Sequence, residues 1–138
     1  MSDVIVLDTG PLVAWLCDTD QWHTWAVEQF ALREPPFITC EAVLTEACFL
    51  YAREGGDPSG IVGRVRAGVL QIPVGIDDEA GALETLLKRY ADTPMSLADA
   101  CLVRLSEIHK DCRVFTLDRH FKSYRRYGRS VIPLLSPW

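Results

Sequence analysis

The chain has 138 residues, a formal net charge of −5, 49% apolar residues and 24% charged residues. That length suits one domain closing its own hydrophobic core, so residues 1–138 read as a single globular domain and not as a disordered chain. No apolar run approaches the ~20 residues of a membrane helix, and the N-terminus lacks the basic region of a signal peptide. Five cysteines without Cys-x-x-Cys spacing argue against a disulfide scaffold or a zinc site. They read as free buried thiols, which point to the reducing cytoplasm.

The charge is unevenly placed. Residues 1–112 hold eight Lys+Arg against eighteen Asp+Glu, a net of −10. Residues 113–138 hold six basic residues and one acid, Asp118, a net of +5. The total speaks against a polyanion partner. The split weakens that objection, because binding depends on a local patch.

Val4-Ile5-Val6-Leu7 is a short apolar run typical of a strand buried on both faces. Pro11 follows shortly and suits a helix's first position, which predicts a helix over 11–16. A second helix is expected over 22–32, stopped by Pro35-Pro36, and a second strand over 37–39. Residues 42–53 return to helix, with Val43, Ala47 and Leu50 on one stripe, until Gly55-Gly56. Asp57-Pro58 reads as the start of another short helix. A strand over 69–72 and a helix over 78–90 follow. Ser96 is positioned to cap a helix that runs to 109. Residues 113–117 form a fourth strand, and a short fifth begins at Val131-Ile132. Alternating strands and helices predict an α/β fold with a mostly parallel sheet. Such sheets bind ligands beyond the carboxyl ends of their strands.

Four acids stand out. Asp8 directly follows the first strand and Asp118 the fourth. The plain alternatives are a helix cap and a turn residue. Glu46 has Ala42, Val43, Phe49 and Leu50 as helical neighbours, so it interrupts an apolar face expected to pack. Asp99 sits similarly among Met95, Ser96, Leu102 and Val103. A buried carboxylate must be protonated, paired or metal-bound. A salt bridge, for instance to Arg104, explains one of them but not four. Clustered carboxylates repel, and a hard divalent cation such as Mg²⁺ or Mn²⁺ removes the conflict. The matching chemistry is metal-assisted phosphodiester hydrolysis.

These segments together resemble a known family. VIVLDTGPLVAWL, TCEAVLTEACFL, PMSLADACLV and VFTLDRHF are similar, in order, to the four motif segments of PIN-domain nucleases. Length and opening most resemble toxin ribonucleases of the VapC type. The resemblance implies a three-layer sandwich with a five-stranded parallel sheet of order 3-2-1-4-5 between helices. It also implies that Asp8, Glu46, Asp99 and Asp118 form a catalytic, metal-holding tetrad in an Mg²⁺- or Mn²⁺-dependent endoribonuclease. Thr116 matches a threonine that accompanies the last acid, although β-propensity alone explains it. Some members carry a further acid where this chain has His120. Asp92 is a secondary candidate near Asp99, with turn chemistry as its alternative.

Arg119, Lys122, Arg125 and Arg126 begin beside Asp118 and are candidates for holding RNA phosphates. A solvated helix face is the alternative. Tyr124 and Tyr127 interleave with them, as base-stacking residues do, or else belong to the core. His23, His109 and His120 show no triad or metal spacing and are assigned no chemistry. Trp15, Trp22 and Trp25 are expected to pack the core or a dimer surface. Expected partners are RNA, a small antitoxin protein and a second copy of the chain. Two other functions compete: a catalytically inactive PIN-like binding module, and a phosphatase with Asp8 as nucleophile. The second lacks the Asp expected two residues on, where Gly10 stands.

Overall fold

The computed structural model describes residues 3–138. Its central sheet is wholly parallel. β1 (Val4–Leu7) lies in the middle, flanked by β2 (Phe37–Ile38) and β4 (Cys112–Phe115). β3 (Leu70–Gln71) and β7 (Leu134–Leu135) complete the order β3-β2-β1-β4-β7. Counted within the sheet alone, this is the expected 3-2-1-4-5. Val6, Leu7, Val114 and Phe115 are fully buried, which is why β1 and the second half of β4 are apolar at successive positions and do not alternate.

Six helices flank the sheet: α1 (Thr9–Leu16), α2 (His23–Ala31), α3 (Glu41–Arg53), α4 (Ser59–Arg66), α5 (Ala80–Arg89) and α6 (Leu97–Ile108). α1 packs on α2 and α3, α5 packs on α6, and α3 meets α6. The early tryptophans pack as expected: Trp15 stacks on Phe30 at 4.0 Å, and Trp25 meets Phe115 edge-on at 5.5 Å. Among the described residues no helix is long and apolar enough to cross a membrane. All five cysteines are free, four of them buried.

Two expectations need correction. α1 begins at Thr9, so Pro11 occupies its third position and not its first. The first turn of a helix has no internal acceptors for its N–H groups, so proline is tolerated there. The strand expected at 131–132 is not part of the main sheet. β5 (Arg125–Arg126) and β6 (Ser130–Val131) instead form an antiparallel hairpin. Tyr127 and Gly128 both have positive φ, 56° and 79°, and with Arg129 they make the tight turn between the paired residues Arg126 and Ser130. The fifth sheet strand therefore starts only after Pro133.

Because β1 and β4 are neighbours in register, Leu7 beside Phe115, their chains leave the sheet together. The Asp8 N–H extends the ladder by donating to the Phe115 carbonyl at 3.0 Å. Gly10 keeps this edge tight, since a Cβ there would lie 3.2 Å from the Leu117 Cβ. Asp8 and Asp118 thus emerge side by side at the carboxyl edge of the sheet.

Candidate active site

Asp8, Glu46, Asp99 and Asp118 line one cavity of about 330 Å³ at this edge, together with Thr9, Gly10, Ser96, Ala98 and Leu117. The sheet edge and two helices supply them. Asp8 and Asp118 follow β1 and β4, Glu46 projects from α3, and Asp99 from the first turn of α6.

Asp8 is buried, and each of its oxygens has a partner. Oδ1 accepts from the Thr9 N–H at 2.7 Å, capping α1. Oδ2 accepts from the Thr116 hydroxyl at 2.6 Å. Thr116 is itself fully buried, and its Oγ1 also accepts the Asp118 N–H at 2.9 Å. Burial pushes the Asp8 carboxyl up from 3.8 to about 7; the Thr116 and Thr9 bonds oppose the rise, and Asp99 and Asp118 add to it.

Asp99 is buried and forms a capping box with Ser96 at the start of α6. Its Oδ2 accepts from the Ser96 N–H at 3.1 Å and from the Tyr124 hydroxyl at 3.3 Å. Burial and the charge of Asp118 raise its pKa, against the Ser96 and Tyr124 hydrogen bonds. Arg104, the anticipated partner, pairs with Glu79 and Glu107 instead. No salt bridge among the described residues reaches Asp8, Glu46 or Asp99.

Glu46 departs from expectation. It is exposed, as is Phe49 at 65%, so this face of α3 does not pack. Only the Val43–Ala47 stripe is fully buried. Glu46 reaches the cavity from its rim, with no hydrogen-bonded protein partner among the described residues. Asp92 is not brought to the cavity. It lies exposed in the turn between α5 and α6, which matches its alternative role.

The donor set is carboxylate oxygen only, the type that hard divalent cations take. Among the described residues no three His, Cys, Asp or Glu side chains stand close enough to form a ready-made cage. Mg²⁺ ordinarily uses one or two carboxylates and keeps several waters. A cavity of this size leaves room for that shell. Asp8, Glu46, Asp99 and Asp118 are the residues that could hold such an ion, and its charge would offset the burial, and with it the smaller mutual repulsion, that raises the pKa of Asp8 and Asp99.

The PIN domain family model matches residues 5–127, which span this entire arrangement. The chain belongs to the PIN domain family. No curated protein matches it. Its fold is shared with the crystal structure of VapC20 of Mycobacterium tuberculosis, a toxin that cleaves the sarcin-ricin loop. That match has a TM-score of 0.74 and 24% identity, and covers 94% of this chain and 99% of VapC20.

The basic segment of this PIN domain divides in two. Arg125 donates to the carbonyls of Lys122 and Tyr124, at 2.8 and 3.1 Å. Arg126 donates to the carbonyls of Ser106 and Lys110, both at 2.9 Å, and so closes the C-terminal end of α6. Both guanidiniums serve the fold. Arg119 and Lys122 lie on an exposed 3-10 helix (Arg119–Lys122) directly after Asp118. Tyr124 is fully buried, so its ring offers no stacking surface; Tyr127 stays exposed, tied to Glu107 through its N–H and hydroxyl.

Three residues at or near the cavity have contacts that the sequence reading did not assign them. The Tyr124 hydroxyl reaches Asp99 and the Pro94 carbonyl; only its place after the fourth motif hinted at this. His120 Nδ1 lies 2.8 Å from Asp118 Oδ1. A carboxylate only accepts, so Nδ1 carries the proton of that bond. Thr9 is buried and lines the cavity, yet its hydroxyl has no partner among the described residues. Adjacency to Asp8 at a strand end was its one available signal.

Proposed function

We propose that this PIN domain is an Mg²⁺- or Mn²⁺-dependent endoribonuclease of the VapC toxin kind, hydrolysing RNA phosphodiester bonds. The observation that carries the reading is the convergence of four carboxylates, two of them buried, on one cavity at the sheet's switch point. Likeness in fold to the RNA-cleaving toxin VapC20 supports the substrate class. The bound ion supplies charge to offset the carboxylates and the phosphate oxygens, and Lewis acidity toward the attacking water.

The chain's own side chains have separable tasks in this reading. Thr116 holds Asp8 and the Asp118 backbone in fixed relation. Ser96 and Tyr124 fix the orientation of Asp99. Glu46, with no hydrogen-bonded or salt-bridged partner among the described residues, is the acid free to reorient and to take a proton from water at the rim. Arg119 and Lys122 are the residues of the basic segment left to contact RNA phosphates.

Residues 1–138 are proposed as one PIN-like domain, since β7 at Leu134–Leu135 completes the sheet beyond the matched segment. An antitoxin and a second copy of the chain are the proposed protein partners. Exposed Phe49 on α3 and Val62 on α4 offer them apolar surface. Five free thiols support a reducing, cytoplasmic setting.

The test is cleavage of a labelled RNA by purified protein in Mg²⁺, Mn²⁺ or EDTA. Products with either ion and none in EDTA are expected. Equal cleavage in EDTA overturns the metal requirement. No cleavage under any condition, with metal binding absent by calorimetry, favours the inactive binding module.

A further inference from the structure

Two cations meet one aromatic ring beside the cavity. Arg119 Cζ lies 5.1 Å from the centroid of the Trp138 ring, and Lys122 Nζ lies 4.6 Å from it. Both come from the 3-10 helix after Asp118, where residues three apart eclipse, so the two side chains reach the same side. Among the described residues neither forms a salt bridge, whereas Arg125 and Arg126 are committed to backbone carbonyls. The nearest acid in sequence, Asp118, turns Oδ1 to His120.

Like charges gathered without a salt-bridged acid among the described residues raise the local positive potential, and an anion completes the group. The ring's negative face offsets part of the repulsion and holds the pair together. None of the three residues lines the carboxylate cavity, yet Arg119 adjoins one that does. An acidic cavity alone repels a polyanion. A neighbouring cation cluster supplies the attraction it lacks.

We propose that Trp138 is a positioning residue that gathers Arg119 and Lys122 into one phosphate-binding cluster for the RNA strand flanking the cleaved bond. The inference rests on the nuclease reading and names where that substrate is gripped. Trp138 acts through the two cations that lie against its ring.

The experiment measures binding of a short fluorescein-labelled single-stranded oligoribonucleotide by anisotropy, in Mg²⁺, across a salt series. The full chain carries Asp8→Asn throughout so that the probe survives. Relative to that parent, adding Trp138→Ala is expected to weaken binding about tenfold and to reduce the slope of log K against log salt by roughly 0.7–1.4, the loss of one or two phosphate contacts to single-stranded RNA. Trp138→Phe, which keeps a ring, restores most of both. Arg119→Ala/Lys122→Ala reproduces the loss, and Trp138→Ala adds nothing further to it.

Unchanged affinity in Trp138→Ala overturns the inference, as does a loss of affinity with the salt slope unaltered. Should Trp138→Ala fail to fold by circular dichroism, the Arg119→Ala/Lys122→Ala chain decides alone, and unchanged binding there overturns it. Tighter binding of a polyglutamate peptide than of RNA, lost in the same double variant, assigns the cluster to an acidic protein and also overturns it. Failure of the two readings is distinguishable. Absence of RNA binding in the parent, with absence of cleavage by the wild-type chain, overturns both. RNA cleavage by the wild type with Trp138 indifferent overturns this inference alone.

Discussion

The Thr116 hydroxyl stands 2.6 Å from Asp8 Oδ2 and joins two residues 108 positions apart in the chain. The same oxygen accepts the Asp118 N–H at 2.9 Å. One side chain thus fixes the relative placement of the acids that follow the two central strands. Thr116→Val keeps shape but leaves both groups without that partner. A stability loss of about 1–3 kcal/mol is expected, with RNA cleavage reduced about ten- to a hundredfold. Thr116→Ser should restore most of each. Chemical denaturation and initial cleavage rates check the pair.

Asp8 makes a second prediction, for stability against pH without metal. Its folded-state pKa, about 7, lies above the ordinary 3.8. The folded chain therefore holds this proton more tightly than the unfolded chain. The resulting stability is fully present below about pH 4 and is lost as pH rises toward about 7. Asp99 is shifted in the same direction. In EDTA the melting temperature should fall across this window, by a loss on the order of a few kcal/mol. Asp8→Asn removes the titrating group and should flatten the fall.

Divalent metal should reverse that trend. An ion bound to ionised carboxylates stabilises only the folded chain, by about 2.7 kcal/mol at a hundred times its Kd. Binding must displace the Asp8 and Asp99 protons, so the gain shrinks in acid. Mn²⁺ or Mg²⁺ should raise the melting temperature by several degrees at pH 8 and by little at pH 5. Glu46→Gln should lessen the rise, and a thermal-shift titration measures it.

Tyr124 contributes through its hydroxyl. Tyr124→Phe frees the Pro94 carbonyl and one contact of Asp99 Oδ2, while the ring still packs against Tyr90 and Phe121. A loss of about 1–2 kcal/mol in stability is expected. Cleavage should fall less than in Thr116→Val, because Ser96 still holds Asp99.

Much of this arrangement was legible in the chain. Asp8 and Asp118 could be placed because short apolar-rich runs mark the buried parallel strands, and the residues after each run fall on the carboxyl edge. Asp99 could be placed because Ser96 announces the start of its helix. Glu46 was rightly found on a helix and wrongly taken as buried, since periodicity shows that a face is apolar and not what covers it. Phe49 on the same face is exposed. The fifth strand was misplaced because the Tyr127-Gly128 turn draws Val131 back into a hairpin. The four basic residues looked equivalent in sequence. The folded chain divides them: Arg126 is taken by carbonyls at the end of α6 and Arg125 by those of Lys122 and Tyr124, while Arg119 and Lys122 meet the Trp138 ring and are left for a ligand.

The central claim is that this cavity cuts RNA through its carboxylates. Cleavage of one labelled RNA by the wild-type chain and by Asp8→Asn, prepared side by side in Mg²⁺, tests it most directly. The account predicts that the substitution slows cleavage by more than about a hundredfold, beyond the usual cost of losing a mere supporting group around a metal. It also predicts that Asp8→Asn melts no lower than wild type in EDTA near pH 7. Wild-type cleavage rates in a clean, folded Asp8→Asn preparation would contradict it.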